Sequence, residues 1–176
     1  MSYKVFVSDG VPRTTELRLP DGGPIVSSPL ASTLIYGQRD AVLVDPPFTR
    51  EQTVRVGHWI DRSGKRLAYL YSTHGHGDHW FGTAQLLDRF PGAAVYATEG
   101  TIRLMRQQAT TGREQTWDKD FPGLIPDSPV LAQPIPPGGF TKTTAAAHPY
   151  AVVARRQATT GHPHWALADA SEAVAS

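Results

Sequence analysis

Short apolar runs alternate with amphipathic stretches along most of the chain. Runs rich in β-branched and aromatic residues, bounded by Gly, Pro and Asp turn signals, predict β-strands. The clearest of these runs lie at residues 3–7, 32–36, 41–44, 67–71 and 94–97. Weaker strand patterns follow at residues 130–133, 150–154, 165–168 and 173–176. The polar turn between the second and third runs predicts a β-hairpin.

Three amphipathic stretches place apolar residues at helical spacing. The first follows Thr49, which forms a predicted capping box with Gln52. The second covers residues 80–90, and the third covers residues 99–108 with Thr98 as its N-cap. Hairpin, helix, strand, helix, strand and helix therefore follow one another along the chain. This alternation predicts an α/β sandwich.

Length, charge and the absence of cysteine limit the number of domains, the expected partners and the kinds of metal site. With 176 residues the chain is long enough to bury a core, and we expect a single domain over residues 1–176. The formal net charge is only +1 and no charged block stands out, so neither nucleic acid nor a membrane is an expected partner. The absence of cysteine excludes disulfides and thiolate metal sites, and it fits a cytoplasmic location.

Side chains that can bind metal are concentrated directly after the strand predicted at residues 67–71. His74, His76, Asp78 and His79 fall within six positions, and glycines separate the first three of them. Imidazole and carboxylate groups are the ligands that zinc and similar divalent ions take when cysteine is absent. Glycine lets the backbone bend tightly enough to aim several side chains at one small volume. We therefore predict that these four residues bind metal.

The pattern of three histidines and one aspartate, between an apolar strand and a helix, resembles the signature of the metallo-β-lactamase superfamily. The strand that ends at Asp45 is similar to the hairpin strand of that family. The resemblance implies an αβ/βα sandwich with a metal site at one edge of two packed sheets. It also implies that His74 and His76 hold one ion, and that Asp78 and His79 help to hold a second. The expected cofactor is zinc, one or two ions, with iron or manganese as alternatives.

The resemblance also implies a reaction. Members of the family hydrolyse esters, lactones, thioesters and related small molecules through a water that the metal activates. Asp78, as a ligand that also orients the attacking water, is the expected catalytic residue. A small-molecule substrate is therefore the expected partner.

Two departures from the family pattern lead to alternatives. The third histidine of the first site matches either Gln157, which is a weak ligand, or His162. Full-length members continue, after a strand similar to residues 173–176, into a later Gly-Asp pair and a last histidine, and this sequence stops before both of them. We therefore expect a domain truncated at its C-terminal side, with exposed faces that favour a homodimer or aggregation. The alternative function is an inactive remnant that binds metal weakly or acts as a binding module.

Several side chains near the motif invite structural interpretations. Asp45 is either a turn residue or a hydrogen-bond partner of a ligand histidine. His58, on a predicted helix face, is expected to be exposed rather than a ligand. Trp80 and Phe81 are expected to anchor the core, since large aromatic side chains are mostly buried. Trp117 is placed in a loop after the third helix.

Overall fold

The computed structural model describes residues 1–136 and the backbone of two further strands, at residues 152–157 and 164–169. The chain divides into two compact units. One unit is Ser2–Pro134, and the other is Ile135–Ser176 together with Met1. Each unit is described by itself below.

The larger unit is built on a six-stranded sheet whose strands lie in sequence order. The strands are β1 (Ser2–Ser8), β2 (Leu30–Tyr36), β3 (Asp40–Val44), β4 (Arg66–Tyr71), β5 (Ala94–Ala97) and β6 (Gln133–Pro134). The first three strands pair in antiparallel fashion, whereas β3 to β6 are parallel. The carboxyl ends of β3 and β4 therefore meet at the same edge of the sheet, which is where sheets of this kind build their sites.

Helices connect the parallel strands. They are α1 (Arg50–Arg62), α2 (Thr83–Arg89), α3 (Glu99–Gln107) and α4 (Asp118–Asp120), with a 3₁₀-helix at Gly77–His79 and a π-helix at Gln108–Trp117. The capping box predicted at the start of α1 is confirmed, since the Thr49 hydroxyl accepts from the backbone N–H of Gln52 at 3.2 Å. Helix α1 stops before Gly64, whose φ of 67° is the left-handed conformation that glycine adopts most readily.

The core is an apolar cluster with side chains from the strands, from helices α1, α2 and α3, and from the segments between them. Leu34, Leu43 and Leu70 come from the three central strands and are fully buried. Val56 and Ile60 of α1 are fully buried as well and belong to the same apolar cluster. Their helical spacing is the pattern from which the helix was predicted, so this part of the fold follows from the sequence.

The second helix starts later than its apolar pattern predicts. It begins at Thr83 rather than at residue 80, because Trp80 has a φ of −163° and leaves the helical region. The side chains of Trp80 and Phe81 are fully buried, which confirms them as core anchors. The backbone N–H of Gly82 donates to the carbonyl of Pro47 at 2.9 Å. Packing of these aromatic side chains thus takes precedence over local helical preference.

The second unit contains an antiparallel pair, β7 (Val152–Gln157) and β8 (His164–Asp169). In this pair Val152 lies opposite Asp169, and Gln157 lies opposite His164. The pair confirms the predicted strands at residues 152–154 and 165–168, whereas residues 150 and 151 of the first prediction lie outside the described residues. The strand predicted at 130–133 is reduced to the two residues of β6. The strand predicted at 173–176 lies outside the described residues.

None of the helices in the described ranges is both long and apolar enough to cross a membrane.

The capping box generates a test of how α1 is held. Replacement Thr49→Ala removes the hydroxyl that accepts from Gln52, and we expect the free energy of unfolding to fall by about 1 kcal/mol. Replacement Thr49→Ser keeps the hydroxyl, and the free energy should change by no more than about 0.5 kcal/mol. Urea denaturation of both variants makes the comparison. Equal losses in the two variants would contradict the capping role.

Candidate functional site

Asp45 follows β3 directly and holds an unusual backbone conformation. Its φ is 54°, a left-handed value that aspartate tolerates better than most residues. Two hydrogen bonds fix this conformation. The Asp45 N–H donates to the carbonyl of Tyr71 at 2.8 Å, and the Ser32 hydroxyl donates to the Asp45 carbonyl at 2.7 Å. Asp45 is thereby locked at the end of β3, beside the end of β4.

The carboxylate of Asp45 reaches into the segment that follows β4. It accepts the backbone N–H of Thr73 at 2.8 Å, and its two oxygens lie 2.8 and 3.0 Å from the Thr73 hydroxyl. The same hydroxyl lies 3.0 Å from Nδ1 of His74, and Nδ1 of His79 lies 3.4 Å from the carboxylate. Nδ1 of both rings is therefore engaged, which leaves Nε2 of each ring as the nitrogen available to a metal.

The four predicted ligands all lie in this segment, residues 74–79, which we call the 74–79 loop. The ring centroids of His74 and His79 are 4.0 Å apart, and those of His74 and His76 are 5.0 Å apart. An oxygen of Asp78 lies 3.7 Å from Nε2 of His79. The structure thus brings the four side chains together at one edge of the sheet.

Their chemistry fits zinc, because three imidazoles and one carboxylate are nitrogen and oxygen donors of the type that this ion prefers. Their arrangement is not that of a complete site. Within the described part of the chain, no group of three or more His, Asp or Glu side chains is placed to hold a metal ion. The structure therefore groups the predicted ligands without itself showing a metal centre.

Burial and neighbouring charges give the histidines different protonation behaviour. Burial and the positive charge of protonated His79 lower the pKa of His74, which favours the neutral imidazole that binds metal. Burial also acts to lower the pKa of His79, but the hydrogen bond to Asp45 and the charges of Asp45 and Asp78 outweigh it and raise that pKa. Burial and the Asp45 carboxylate raise the pKa of Tyr71 to about 12, so this phenol stays neutral.

The two glycines of the 74–79 loop allow close contact with the rest of the unit. A Cβ atom on Gly75 would lie 2.6 Å from the carbonyl oxygen of Thr101 and 2.9 Å from the backbone nitrogen of Met105, both in α3. A Cβ atom on Gly77 would lie 2.0 Å from the ring of Phe81. The indole N–H of Trp80 also donates to the carbonyl of Gly75 at 3.0 Å. The loop is therefore held against α3 and against buried aromatic rings.

The predictions for other residues near the site are confirmed in some cases and stay open in others. Asp45 is more than a turn residue, because it contacts both Thr73 and His79. His58 is exposed, as predicted. Gln157 ends β7, where the structure describes only its backbone, and His162 lies outside the described residues. The choice between the last two as third ligand stays open.

Two features of the site were missed by sequence reasoning. The first is the hydroxyl of Thr73, which joins Asp45 to His74. The only sign of this role in the sequence is that Thr73 directly precedes the histidines. Trp117 was predicted to lie in a loop, but it ends the π-helix and packs 5.6 Å from Phe48 and 5.5 Å from Phe81, measured between ring centroids. A π-helix is rare in proteins, so sequence reasoning favours a loop or an α-helix at such a position.

Comparison with known proteins places the sequence in a family. A family model described as the metallo-beta-lactamase superfamily matches residues 29–164. This range covers most of the chain, including the 74–79 loop and Asp45.

Two curated relatives share short regions with the chain. The hydroxyacylglutathione hydrolase of Gloeobacter violaceus is 40% identical over 60 residues, which are 34% of this chain and 22% of the relative. Hydroxyacylglutathione hydrolase 1 of Vibrio vulnificus is 25% identical over 67 residues, which are 38% of this chain and 26% of the relative. The matched region thus spans about a quarter of the length of these relatives.

Solved structures of similar proteins include two metallo-beta-lactamases. MEM-A1, a subclass B3 enzyme from a soil metagenome library, matches with a TM-score of 0.48 and 22% identity over 77% of this chain and 55% of its own. FIM-1 from Pseudomonas aeruginosa, in its mono-zinc form, matches with a TM-score of 0.46 and 19% identity over 85% of this chain and 53% of its own. The chain spans about half the length of either.

The close contacts of the loop glycines generate a prediction. Replacements Gly75→Ala and Gly77→Ala each force a Cβ atom into occupied space, and we expect each to lower the free energy of unfolding by about 1–3 kcal/mol. Gly92 is the control, because a Cβ there would meet nothing within 4 Å. Replacement Gly92→Ala should change the free energy by no more than about 0.5 kcal/mol. Urea denaturation of the metal-free chain compares the three, and equal changes would contradict the packing.

The contact between Asp45 and His79 generates a second prediction. Replacement Asp45→Asn removes the negative charge, so the pKa of His79 in the metal-free chain should fall. Because the raised pKa stabilises the fold below the ordinary histidine value of 6.5 and this contribution is lost as pH rises through the folded pKa, the variant should lose more stability at mildly acidic than at alkaline pH.

A pH titration of the His79 ring protons by nuclear magnetic resonance checks this prediction. Asp40 is the control, because it begins β3 and pairs with Arg66 rather than with the loop. An Asp40→Asn chain should keep the His79 titration midpoint. An unchanged midpoint in the Asp45→Asn chain would show that Asp45 does not act on His79.

Proposed function

Because the chain belongs to the metallo-beta-lactamase superfamily, we propose that it is a metal-dependent hydrolase of an acyl thioester, with esters and lactones as the alternative substrates. The observation that carries the proposal is the grouping of His74, His76, Asp78 and His79 at one edge of the sheet, with Asp45 bonded behind them.

The preference for a thioester comes from the relatives. Both curated proteins that share sequence with this chain are named as hydroxyacylglutathione hydrolases, and their named substrate joins an acyl group to a sulfur atom. Since the match spans about a quarter of their length, the residues that select glutathione in those proteins need not be present here. The proposal therefore extends to the thioester bond and not to a particular acyl group.

We assign the ligands as the resemblance implies. His74 and His76 would hold one ion through neutral imidazoles, and Asp78 and His79 would contribute to a second. Zinc is the proposed ion, with iron or manganese as alternatives, because the donors are nitrogen and oxygen. A bound ion of this type supplies Lewis acidity at the substrate carbonyl and makes water a stronger nucleophile at neutral pH.

Side chains in and beside the loop would then orient the attacking water, accept its proton and orient the histidine rings. Asp78 is the proposed catalytic residue, since its Oδ2 can orient the attacking water and accept its proton. Asp45 holds His79 by its Nδ1 and, through Thr73, His74 by its Nδ1, so it sets which nitrogen of each ring faces the metal. Hydrolysis forms a bond between the water oxygen and the acyl carbon and breaks the carbon–sulfur bond. The proton that Asp78 accepts from the water would pass to the leaving sulfur, so the products are a free thiol and a carboxylate, whose own proton goes to solvent.

Three further points stay predictions: a cytoplasmic location, a small molecule as the partner, and self-association through exposed apolar faces.

The proposal is tested by metal uptake and turnover together. We expect the purified chain, expressed with added zinc, to retain metal and to hydrolyse a synthetic acyl thioester until a chelator removes the ion. Replacement His76→Ala should lower metal occupancy at least about tenfold, because it removes a ligand. Metal content is measured by mass spectrometry, and thiol release is followed with a chromogenic thiol reagent.

His58→Ala is the matched control, because His58 is exposed on α1 and contacts Arg89 rather than the loop. It should leave both metal content and turnover unchanged. Metal content below about a tenth of an equivalent in the unaltered chain would overturn the metal claim. Full metal content without turnover of any thioester, ester or lactone would favour the alternative of an inactive metal-binding module.

A further inference from the structure

We propose that Arg113 is a positioning residue for the 74–79 loop, acting through the ring of Phe81 on the backbone at Gly77. Gly77 lies between His76 and Asp78, so a displacement there would alter the direction of one proposed ligand for each ion. The inference rests on the proposed function, because it concerns the ligands assigned above.

The ring of Phe81 packs directly against Gly77. Its side chain is fully buried, and its ring occupies the space into which a Cβ on Gly77 would point, at 2.0 Å. The backbone also joins the two residues, since the N–H of Phe81 donates to the carbonyl of Gly77 at 2.9 Å. Because packed interiors transmit displacement rather than absorb it, the position of this ring limits the position of Gly77.

The guanidinium of Arg113 lies over that ring. Its Cζ is 5.2 Å from the centroid of Phe81, within the range of a cation–π interaction. The nitrogens of the same group are also held, because Nε donates to Asp118 at 2.8 Å and NH1 donates to the carbonyl of Pro126 at 2.8 Å. The Arg113 side chain is only 13% exposed, so these contacts are weakly screened by water. The guanidinium of Arg113 is therefore itself held in place, and it limits the movement of the Phe81 ring.

The π-helix Gln108–Trp117 supplies a second contact to the same ring. Trp117 meets Phe81 edge to face, with 5.5 Å between centroids and an interplanar angle of 88°. The backbone N–H of Asp118 donates to the carbonyl of Arg113, which is the i to i+5 bond of a π-helix. Arg113 and Trp117 thus reach Phe81 together from one element, and that element contacts the 3₁₀-helix that carries Asp78 and His79.

The chain contains a matched control in Arg13. Its Cζ lies 5.9 Å from the centroid of Phe121, and it pairs with Asp120 at 3.2 Å. Phe121 stacks on Trp117 at 6.0 Å, so Arg13 borders the same aromatic cluster. Among the described residues, Arg13 contacts Phe121 and Asp120 and not Phe81, so it supports the cluster without reaching the loop. Replacing Arg13 should therefore show how much zinc affinity changes when only the packing of the aromatic cluster is weakened.

The experiment measures zinc affinity by competition with a chromophoric chelator for the unaltered chain and for Arg113→Met, Arg113→Lys and Arg13→Met. Arg113→Met removes the charge and the donors, and we expect zinc affinity to fall about tenfold, as for other residues that support metal ligands. Arg113→Lys keeps the charge over the ring and loses the fork of donors, so its affinity should be intermediate. Arg13→Met should change affinity less than about twofold.

A spectroscopic readout separates positioning from loss of stability. The visible absorption of bound cobalt(II) reports the geometry of its ligands, and it should shift in Arg113→Met and not in Arg13→Met. Thermal unfolding of the metal-free chains gives the folded fraction for each variant. If Arg113→Met does not fold, Arg113→Lys carries the comparison with Arg13→Met.

The outcomes distinguish this inference from the function on which it rests. If the unaltered chain binds zinc and Arg113→Met binds it equally well with the same cobalt spectrum, the inference fails and the proposed function stands. Equal losses in Arg113→Met and Arg13→Met would also overturn the inference, since they would show a general effect of the aromatic cluster. If the unaltered chain binds neither zinc nor cobalt, the proposed function fails and the inference fails with it.

Discussion

The carboxylate of Asp45 is the group on which the arrangement of the 74–79 loop depends. Parallel pairing of β3 with β4 places the ends of the two strands side by side, and a left-handed backbone at Asp45 turns its side chain across the gap. Its oxygens then accept from Thr73 and lie beside Nδ1 of His79. A residue at the end of one strand thus organises histidines that follow the next strand, which is how residues behind metal ligands orient them.

The other side of the loop depends on packing rather than on charge. Gly75 lies against the backbone of α3, and Gly77 lies against the ring of Phe81, at distances that leave no room for a Cβ atom. The glycines between the histidines therefore serve contact with the core at least as much as flexibility. The path from Gly77 through Phe81 to Arg113 shows that the environment of the proposed ligands extends into the π-helix, well beyond the motif itself.

The sequence predicts those parts of the structure that have a local signal. Helix α1 was predictable because Thr49 and Gln52 form a capping box and apolar residues follow at helical spacing. The start of α2 was predicted too early, because burial of Trp80 and Phe81 depends on tertiary contacts that periodicity does not contain. The grouping of the four site residues follows from their closeness in sequence. The sequence left Asp45 with two interpretations, and only the pairing of β3 with β4 places it beside Thr73 and His79. The contact of Arg113 with Phe81 depends on the π-helix, which sequence reasoning did not predict.

Metal binding by the 74–79 loop through histidine is the proposal on which the others depend. X-ray absorption at the zinc edge of the zinc-loaded chain tests it most directly, because imidazole rings give multiple-scattering features that water and carboxylate do not. We predict those features together with zinc–nitrogen distances of about 2.0–2.1 Å, and their weakening when His74 is replaced by alanine. A first shell made only of oxygen, unchanged by that replacement, would contradict it.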